Sequence, residues 1–155
     1  MINQIKTLVL LITALSFVLF ANMVAAKEPE LETLVVSTSG GNEITYHIEL
    51  AKSPAQMMRG LMFRDSMPED QGMLFIYSPE RPATMWMKNT ILPLDMLFID
   101  GNGTIVNLAK DTVPFSLERI HSGQPVKGVL ELNAGQVEKQ GIQIGDVVTH
   151  PEFNQ

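Results

Sequence analysis

Cysteine is absent from this chain of 155 residues, and positive charge is scarce. Without cysteine the chain has no disulfide bond, no thiolate metal site, no thiol nucleophile and no lipid attachment at a signal sequence. Its 11 lysines and arginines stand against 17 aspartates and glutamates, which gives a formal net charge of −6. Because nucleic acid and anionic membrane surfaces bind to basic faces, the composition argues against both as partners.

The N-terminal region has no charge over an apolar run, Leu8 to Phe20, and Lys6 is the only charged side chain before it. This layout is typical of a secretory signal peptide. The small residues that end at Ala26 predict cleavage there, so residues 1–26 are the predicted signal and residues 27–32 a charged linker. The sequence therefore predicts a periplasmic or secreted protein. The alternative is an uncleaved membrane anchor, because residues 7–26 are uncharged and about 20 apolar residues can span a bilayer.

Residues 33–155 have the length of one domain with its own core. Apolar and polar residues alternate along Ile44 to Leu50, and a Ser-Gly-Gly-Asn turn separates this run from Leu34 to Ser37, which predicts a hairpin. A second hairpin is predicted around Asp-Gly-Asn-Gly at residues 100–103, because these turn residues tolerate a positive φ. Further strands are predicted at Met73–Tyr77, Thr84–Met87, Val126–Leu132 and within residues 142–149, and a proline-rich loop joins the first two.

Two short helices are predicted between the strands. Ser53 and Gln56 form a capping box with Pro54 at the first helical position, and Gly60 is available to end this helix. The second helix is predicted to end at Gln140, because a glycine follows it. Strands outnumber helices and no spacing suits a β-α-β crossover, so the sequence predicts an all-β fold, an antiparallel sandwich or barrel.

The densest polar cluster in an apolar context is Trp86-Met87-Lys88-Asn89-Thr90, with Asp95 shortly after it. In a strand that starts at Leu94, both faces around Asp95 are largely apolar, so this carboxylate must be paired and hydrogen-bonded. The available donors are Lys88, Asn89, Thr90, Arg59 and Arg64. The functional interpretation is a polar ligand pocket. The alternative is a structural network that fixes the loop between two strands.

An acid–base enzyme acting on an envelope glycan or peptide is a second hypothesis, in which Lys88 and Asp95 act as acid and base. The sequence contains no Gly-x-Ser-x-Gly elbow and no phosphate-binding glycine loop. A glycosidase pair of Asp95 and Glu131 is a further alternative, but nothing in the sequence fixes the separation of the two carboxylates. No catalytic residue and no cofactor is therefore assigned.

Methionine is abundant, and Met85 and Met87 share one face of a predicted strand. Thioethers are soft ligands that suit cuprous copper in an oxidising compartment, so a copper site that includes His47 or His121 is a third hypothesis. The alternative is that the thioethers fill the core. The placement of methionine in predicted strands favours this alternative. No histidine spacing typical of zinc occurs, and no metal site is assigned.

Five motifs stand in order along the chain: Arg59-Gly60-Leu61-Met62-Phe63-Arg64, Gly72-Met73-Leu74-Phe75, Trp86-Met87-Lys88-Asn89-Thr90, Pro93-Leu94-Asp95 and Val129-Leu130-Glu131-Leu132-Asn133-Ala134-Gly135. In order and spacing they resemble the domain-of-unknown-function family numbered 192, over about Leu34 to Val148. The resemblance implies a compact all-β domain, commonly found behind a signal peptide in bacterial proteins, and no established activity. Its shared polar positions are the cluster above together with Arg59, Arg64 and Glu131.

The leading hypothesis is an exported, non-enzymatic module that binds an unknown small ligand or an envelope protein. A polar cluster this dense is unusual in a bare core, and no nucleophile, metal set or cofactor loop accompanies it. The membrane would be a partner only if the N-terminal segment stays uncleaved. The candidate ligand-binding residues are Arg59, Arg64, Trp86, Lys88, Asn89, Thr90, Asp95 and Glu131.

Overall fold

A computed structural model describes residues 30–153. The predicted signal peptide over residues 1–26 lies outside the described residues, as do residues 27–29 of the predicted linker and residues 154–155. Within the described range, no helix is long and apolar enough to cross a membrane.

The described chain forms one seven-stranded sheet, which curls into a half-barrel, and two short helices. The elements are β1 (Glu32–Ser37), β2 (Glu43–Ala51), α1 (Pro54–Arg59), β3 (Gln71–Met85), β4 (Leu94–Ile99), β5 (Ile105–Ala109), β6 (Ile120–Asn133), α2 (Gln136–Gln140) and β7 (Val147–Thr149). The strand order across the sheet is β5-β4-β6-β3-β2-β1-β7. The predicted all-β class with two short helices is confirmed.

The local signals in the sequence produce the local structure. β1 and β2 form the first predicted hairpin, and β4 and β5 form the second. At the start of α1, Ser53 Oγ accepts a hydrogen bond from the Gln56 amide at 3.3 Å. Gln56 Oε1 accepts one from the Ser53 amide at 2.9 Å, which completes the predicted capping box.

Two parts of the predicted topology are wrong. β2 and β3 pair in parallel, with Ile48 opposite Gly72, so the segment between them, which contains α1, is a crossover connection. In addition, β3 continues through the prolines that were predicted to separate two strands. β6 begins at Ile120 and is long enough to pair with both halves of β3. Shifts in the register of this pairing near Arg81 accommodate the prolines.

The sheet carries a separate apolar cluster on each face, and β4 is therefore buried on both. On one face, Leu97 and Leu130 belong to a cluster without methionine, here called the aliphatic core. On the other face, Met73 and Met96 belong to a cluster with four buried methionines, here called the methionine-rich core. Side chains from residues 57–67 and 87–92 cover this second cluster, so irregular segments shape that side of the domain.

Candidate functional site

A cavity of about 350 Å³ opens on the methionine-rich core, against α1, β3 and the loop that follows β3. Small-molecule sites in proteins measure about 300–1,000 Å³, so this cavity has room for a small ligand. Seven of its fifteen lining residues carry a thioether or an aromatic ring. The lining side chains include four methionines (Met57, Met58, Met62, Met85), three aromatics (Phe75, Tyr77, Trp86), and Arg59, Arg81, Thr90 and Glu131.

Glu131 lies on β6 in the middle of the sheet and is only 4% exposed. Its neighbours across the two adjacent strands are Met73 on β3 and Met96 on β4. No hydrogen bond or ion pair joins the Glu131 carboxyl to another residue of the 30–153 range. Burial raises the pKa of this carboxyl to about 8, because the charged form is poorly solvated among apolar groups. At neutral pH the cavity therefore contains a protonated, uncharged carboxylic acid.

Gly72 brings β3 close to the strand that carries Glu131. A Cβ atom at position 72 would lie 2.6 Å from the Glu131 carbonyl oxygen, so only glycine permits this approach. The glycine of the Gly-Met-Leu-Phe motif thus helps to set the position of the Glu131 backbone at the cavity.

Tyr77 lines the cavity beside Arg81. The Tyr77 hydroxyl donates to Met85 Sδ at 3.5 Å, and the Arg81 guanidinium lies 4.9 Å from the centre of the Tyr77 ring. Burial raises the pKa of Tyr77, nearby Arg81 lowers it, and Glu131 raises it. Tyr77 is thus within electrostatic range of both Arg81 and Glu131, and its phenol stays protonated at neutral pH.

Four cations surround the cavity. Arg59 and Arg81 line it, whereas Lys88 Nζ and Arg119 Cζ lie 5.1 and 4.2 Å from the centre of the Trp86 ring. None of the four forms an ion pair with a carboxylate within residues 30–153. The cations that do form such pairs are Lys52, Arg64 and Lys139. The cavity mouth is therefore locally positive on a chain whose net charge is −6.

Three residues next to segments that line the cavity have a positive φ, which is rare for phenylalanine. Phe63, Asn89 and Phe115 have φ values of 63°, 56° and 61°, and each such residue costs on the order of 1–3 kcal/mol. The Phe63 amide donates to the Asn89 carbonyl at 2.9 Å, and the Phe115 amide donates to the Thr90 carbonyl at 3.1 Å. Both phenyl rings are largely exposed. The backbone thus holds two exposed aromatic side chains beside the loop that lines the cavity.

The structure brings four of the eight sequence-derived candidates to the cavity, namely Arg59, Trp86, Thr90 and Glu131. Lys88 contacts the Trp86 ring and remains exposed to solvent. Arg64 donates to both carboxylate oxygens of Glu49, at 2.5 and 2.6 Å, and Asn89 fixes Phe63 through its carbonyl. For these residues a role in ligand binding stays a prediction.

Asp95, the remaining candidate, is fully buried and does not line the cavity. Its two oxygens accept hydrogen bonds from the backbone amides of Asp111 at 2.9 Å and Val137 at 2.8 Å. None of the expected side-chain donors forms a hydrogen bond or ion pair with Asp95 within residues 30–153; two backbone amides bond to it instead. Burial and the nearby Asp95 raise the pKa of Tyr46 to about 12, and its hydroxyl donates to Gln136 Oε1 at 3.4 Å.

The copper candidates Met85 and Met87 lie in different surroundings. Met85 lines the cavity, whereas Met87 is 1% exposed and its Sδ accepts a hydrogen bond from Thr112 Oγ1 at 3.2 Å. His121 Nδ1 lies 3.1 Å from Thr84 Oγ1. Within residues 30–153, no group of three or more histidine, cysteine or acidic residues could hold a metal ion. The geometry gives the copper hypothesis no further support.

Tyr77, Arg81 and three of the four lining methionines, Met57, Met58 and Met62, were not singled out as candidate site residues from the sequence. Tyr77 ends a predicted strand, and Arg81 lies in the segment that was predicted to be a proline-rich loop. The pairing of β3 with β6, which continues past register shifts on either side of Arg81, brings both to the cavity, and this pairing is a long-range feature. The methionines of α1 would have been found only by recognising that the crossover places this helix over the sheet.

The described residues define a small all-β domain, a single curled sheet with a cavity on its methionine-rich face. A family model, DUF192, described as "Uncharacterized ACR", matches residues 35–150 of the chain. The chain therefore belongs to this family, as the resemblance implied. No curated protein matches it.

Two solved structures have the same fold. A protein described as a candidate transcription regulator from Sinorhizobium meliloti 1021 is 45% identical, with a TM-score of 0.78, over 79% of this chain and 95% of that one. A protein of unknown function from Novosphingobium aromaticivorans DSM 12444 is 32% identical, with a TM-score of 0.77, over 81% of this chain and 89% of that one. These similarities support the fold and leave the biochemical function open.

Proposed function

We propose that this chain is an exported, non-enzymatic module that binds a small ligand in the cavity above Glu131. The observation that carries the proposal is the Glu131 carboxyl group, which is 4% exposed, borders the cavity and has no hydrogen-bond partner within residues 30–153. The Glu131 oxygens keep some solvent-accessible surface at the cavity, because His150 Nε2 is the single fully enclosed side-chain polar atom without a hydrogen bond in residues 30–153. A ligand that bonds to the Glu131 carboxyl therefore takes the place of water there.

Binding is better supported than catalysis by the groups that face the cavity. Glu131 is a single carboxyl, and Asp95, which the enzyme hypothesis used as its base, is held by two backbone amides away from the cavity. A general base must approach the proton it removes to about 3 Å. Asp95 is fully buried and accepts two backbone hydrogen bonds, so a substrate in the cavity does not approach it in this way.

The description of the Sinorhizobium meliloti relative as a candidate transcription regulator is not carried over to this chain. DNA binding depends on lysine and arginine contacts to phosphates, and this chain has a net charge of −6. The predicted signal peptide would also remove the protein from DNA. Intact-mass measurement of the chain recovered from a fractionated bacterial host tests the export component, and we expect a mature chain that starts at Lys27.

Nile red, an uncharged dye whose emission shifts to the blue in apolar surroundings, tests the cavity directly. We expect saturable one-to-one binding by calorimetry. Thr84→Trp, which adds a large side chain at the cavity wall, should weaken this binding about tenfold. Thr45→Trp is the matched control, because it makes the same change at an exposed position of β2. Absence of saturable binding, or equal loss in both variants, would contradict the proposal.

A further inference from the structure

We infer that the ligand is an amphiphilic organic anion, whose apolar body lies among the methionines and whose acidic head lies at Arg81, Tyr77 and Glu131. This inference rests on the proposed function and names the chemistry of its ligand. Three features of the cavity carry it: the sign of the surrounding charge, the occupied faces of its aromatic rings, and its apolar walls and rim.

The charge around the cavity favours an anion. Arg59 and Arg81 line it, and neither forms an ion pair within residues 30–153. Lys88 and Arg119 add two further cations beside Trp86. The one carboxyl in the cavity, Glu131, is buried and resists ionisation at neutral pH. A cationic ligand would meet Arg59 and Arg81 in the lining with no ionised lining carboxylate at neutral pH, whereas an anion is attracted.

The aromatic rings do not offer a cage for an ammonium ligand. Such cages need open ring faces, because the cation lies over the π-system. Here Lys88 and Arg119 already lie over the Trp86 ring, and Arg81 lies over the Tyr77 ring. The protein thus supplies its own cations to these faces, which leaves the guanidinium edges available to an anionic group.

The walls and the rim fit an apolar body. Met57, Met58 and Met62 line the cavity, and methionine adapts its shape to different apolar ligands. Outside the cavity, Phe63 and Phe115 are 64% and 60% exposed and are held in place by backbone hydrogen bonds. An apolar chain that leaves the cavity would therefore continue over ordered aromatic surface rather than into water.

Glu131 supplies a hydrogen bond to the acidic head. A protonated carboxyl has one O–H donor, and an oxygen of a ligand carboxylate can accept it while Arg81 bonds to the other oxygen. Tyr77, Arg81 and Glu131 line the same cavity, and the Arg81 guanidinium lies 4.9 Å from the centre of the Tyr77 ring. In this arrangement the cavity recognises a carboxylate through one neutral donor and one cation.

Three probes with the same alkyl chain and different heads test the inference: decanoate, decylamine and decanol. Trp86 is the only tryptophan in the chain and lines the cavity, so quenching of its fluorescence reports occupancy. On the exported chain at neutral pH, we expect decanoate to bind at least about tenfold more tightly than decylamine or decanol. Calorimetry should give one decanoate per chain.

Two variants separate charge at the site from charge in general. Arg81→Ala should weaken decanoate binding about tenfold or more, since it removes a charge-assisted hydrogen bond. Lys139→Ala is the matched control, because it removes one positive charge from α2, which packs on the aliphatic core. It should leave decanoate binding unchanged. Both variants should melt within a few degrees of the parent chain, because both positions are exposed.

The pH dependence gives an independent readout of Glu131. Tyr77 and Arg81 on β3 and Arg59 on α1 line the same cavity as Glu131. Decanoate stays ionised between about pH 7 and pH 9, whereas this range brackets the Glu131 pKa of about 8. Ionisation of Glu131 would remove the donor and add repulsion, and decanoate affinity should fall about tenfold across this range. Glu131→Gln keeps an N–H donor and should bind with little pH dependence.

Each alternative outcome is decisive. Tighter binding of decylamine, or equal binding of all three probes, would overturn the inference and leave the proposed function standing. Failure of all three probes, together with failure of Nile red, would overturn both. Co-sedimentation with phosphatidylglycerol vesicles without binding of soluble decanoate would assign the rim to a membrane surface and would also overturn the inference.

Discussion

Asp95 and Glu131 lie on neighbouring strands at the centre of the sheet, yet on opposite faces and in opposite circumstances. Asp95 pairs with Leu132 and faces the aliphatic core, whereas Glu131 pairs with Met96 and faces the methionine-rich core. Both are almost completely buried. Asp95 accepts two backbone hydrogen bonds, but the Glu131 carboxyl accepts none within the described range. The carboxylate on the aliphatic face is hydrogen-bonded inside the domain, whereas the carboxyl on the methionine-rich face borders a cavity.

This difference shows that burial alone does not mark a binding group, and that the supply of donors does. Asp146 makes the same point, because it is 2% exposed and accepts hydrogen bonds from the Ser39 and Gln143 amides, each at 2.7 Å. Such carboxylates hold loops and helix ends in place. The Glu131 carboxyl forms no such bond within residues 30–153, and its position beside the cavity is the basis of the proposed ligand site.

The largest effect is expected at Asp95. Asp95→Ala leaves the Asp111 and Val137 amides without acceptors inside the domain, and we expect the free energy of unfolding to fall by about 3–5 kcal/mol. Urea denaturation measures this change. Asp65→Ala is the control, because Asp65 is exposed, and it should cost less than about 0.5 kcal/mol. A loss below about 1 kcal/mol for Asp95→Ala would remove the contrast between the two carboxylates.

The pH dependence of stability is expected to come next in size. The pKa of Glu131 rises from 4.5 to about 8 on folding, so the folded chain binds more protons than the unfolded chain between these values. The contribution of Glu131 to the free energy of unfolding is then largest below about pH 4.5 and is lost as pH rises through 8, with a fall of roughly 3–4 kcal/mol between about pH 5 and pH 8. Urea denaturation of the parent and of Glu131→Gln from about pH 5 to 8 isolates this contribution, because other groups titrate equally in both. A constant difference between the two chains would contradict it.

Removal of the Glu131 carboxyl should raise the free energy of unfolding, whereas removal of the Asp95 carboxylate should lower it. Glu131→Leu replaces an unpartnered polar group by an apolar one among methionines, and we expect a gain of about 1–2 kcal/mol at neutral pH. Decanoate binding should be lost at the same time, which calorimetry measures. A destabilised Glu131→Leu variant would show that Glu131 has a structural role after all. Stability gained at the expense of binding is the behaviour expected of a functional site.

The sequence predicts the elements that depend on neighbours along the chain. The capping box at Ser53, the two hairpins and the face on which Asp95 lies all follow from spacings of a few residues, and all form. The cavity depends instead on the parallel pairing of β2 with β3 and on the passage of β3 through Pro79 and Pro82. These are long-range pairings that alternation cannot specify. Polar residues near the cavity could therefore be identified, but not the absence of donors around Glu131.

The smallest effect is expected at Arg64, whose ion pair with Glu49 anchors the segment after α1 to β2. This segment carries Leu61 and Met62 into the cavity wall. Arg64→Ala should lower the free energy of unfolding by about 1 kcal/mol, because the pair is bidentate but partly exposed. It should also weaken Nile red binding severalfold, since the wall is less well fixed. Lys139→Ala breaks an exposed ion pair beside the aliphatic core and should leave dye binding unchanged. If both variants bind the dye like the parent chain, apolar packing alone holds the cavity wall. The methionine-rich face would then not depend on the ion pair between Arg64 and Glu49.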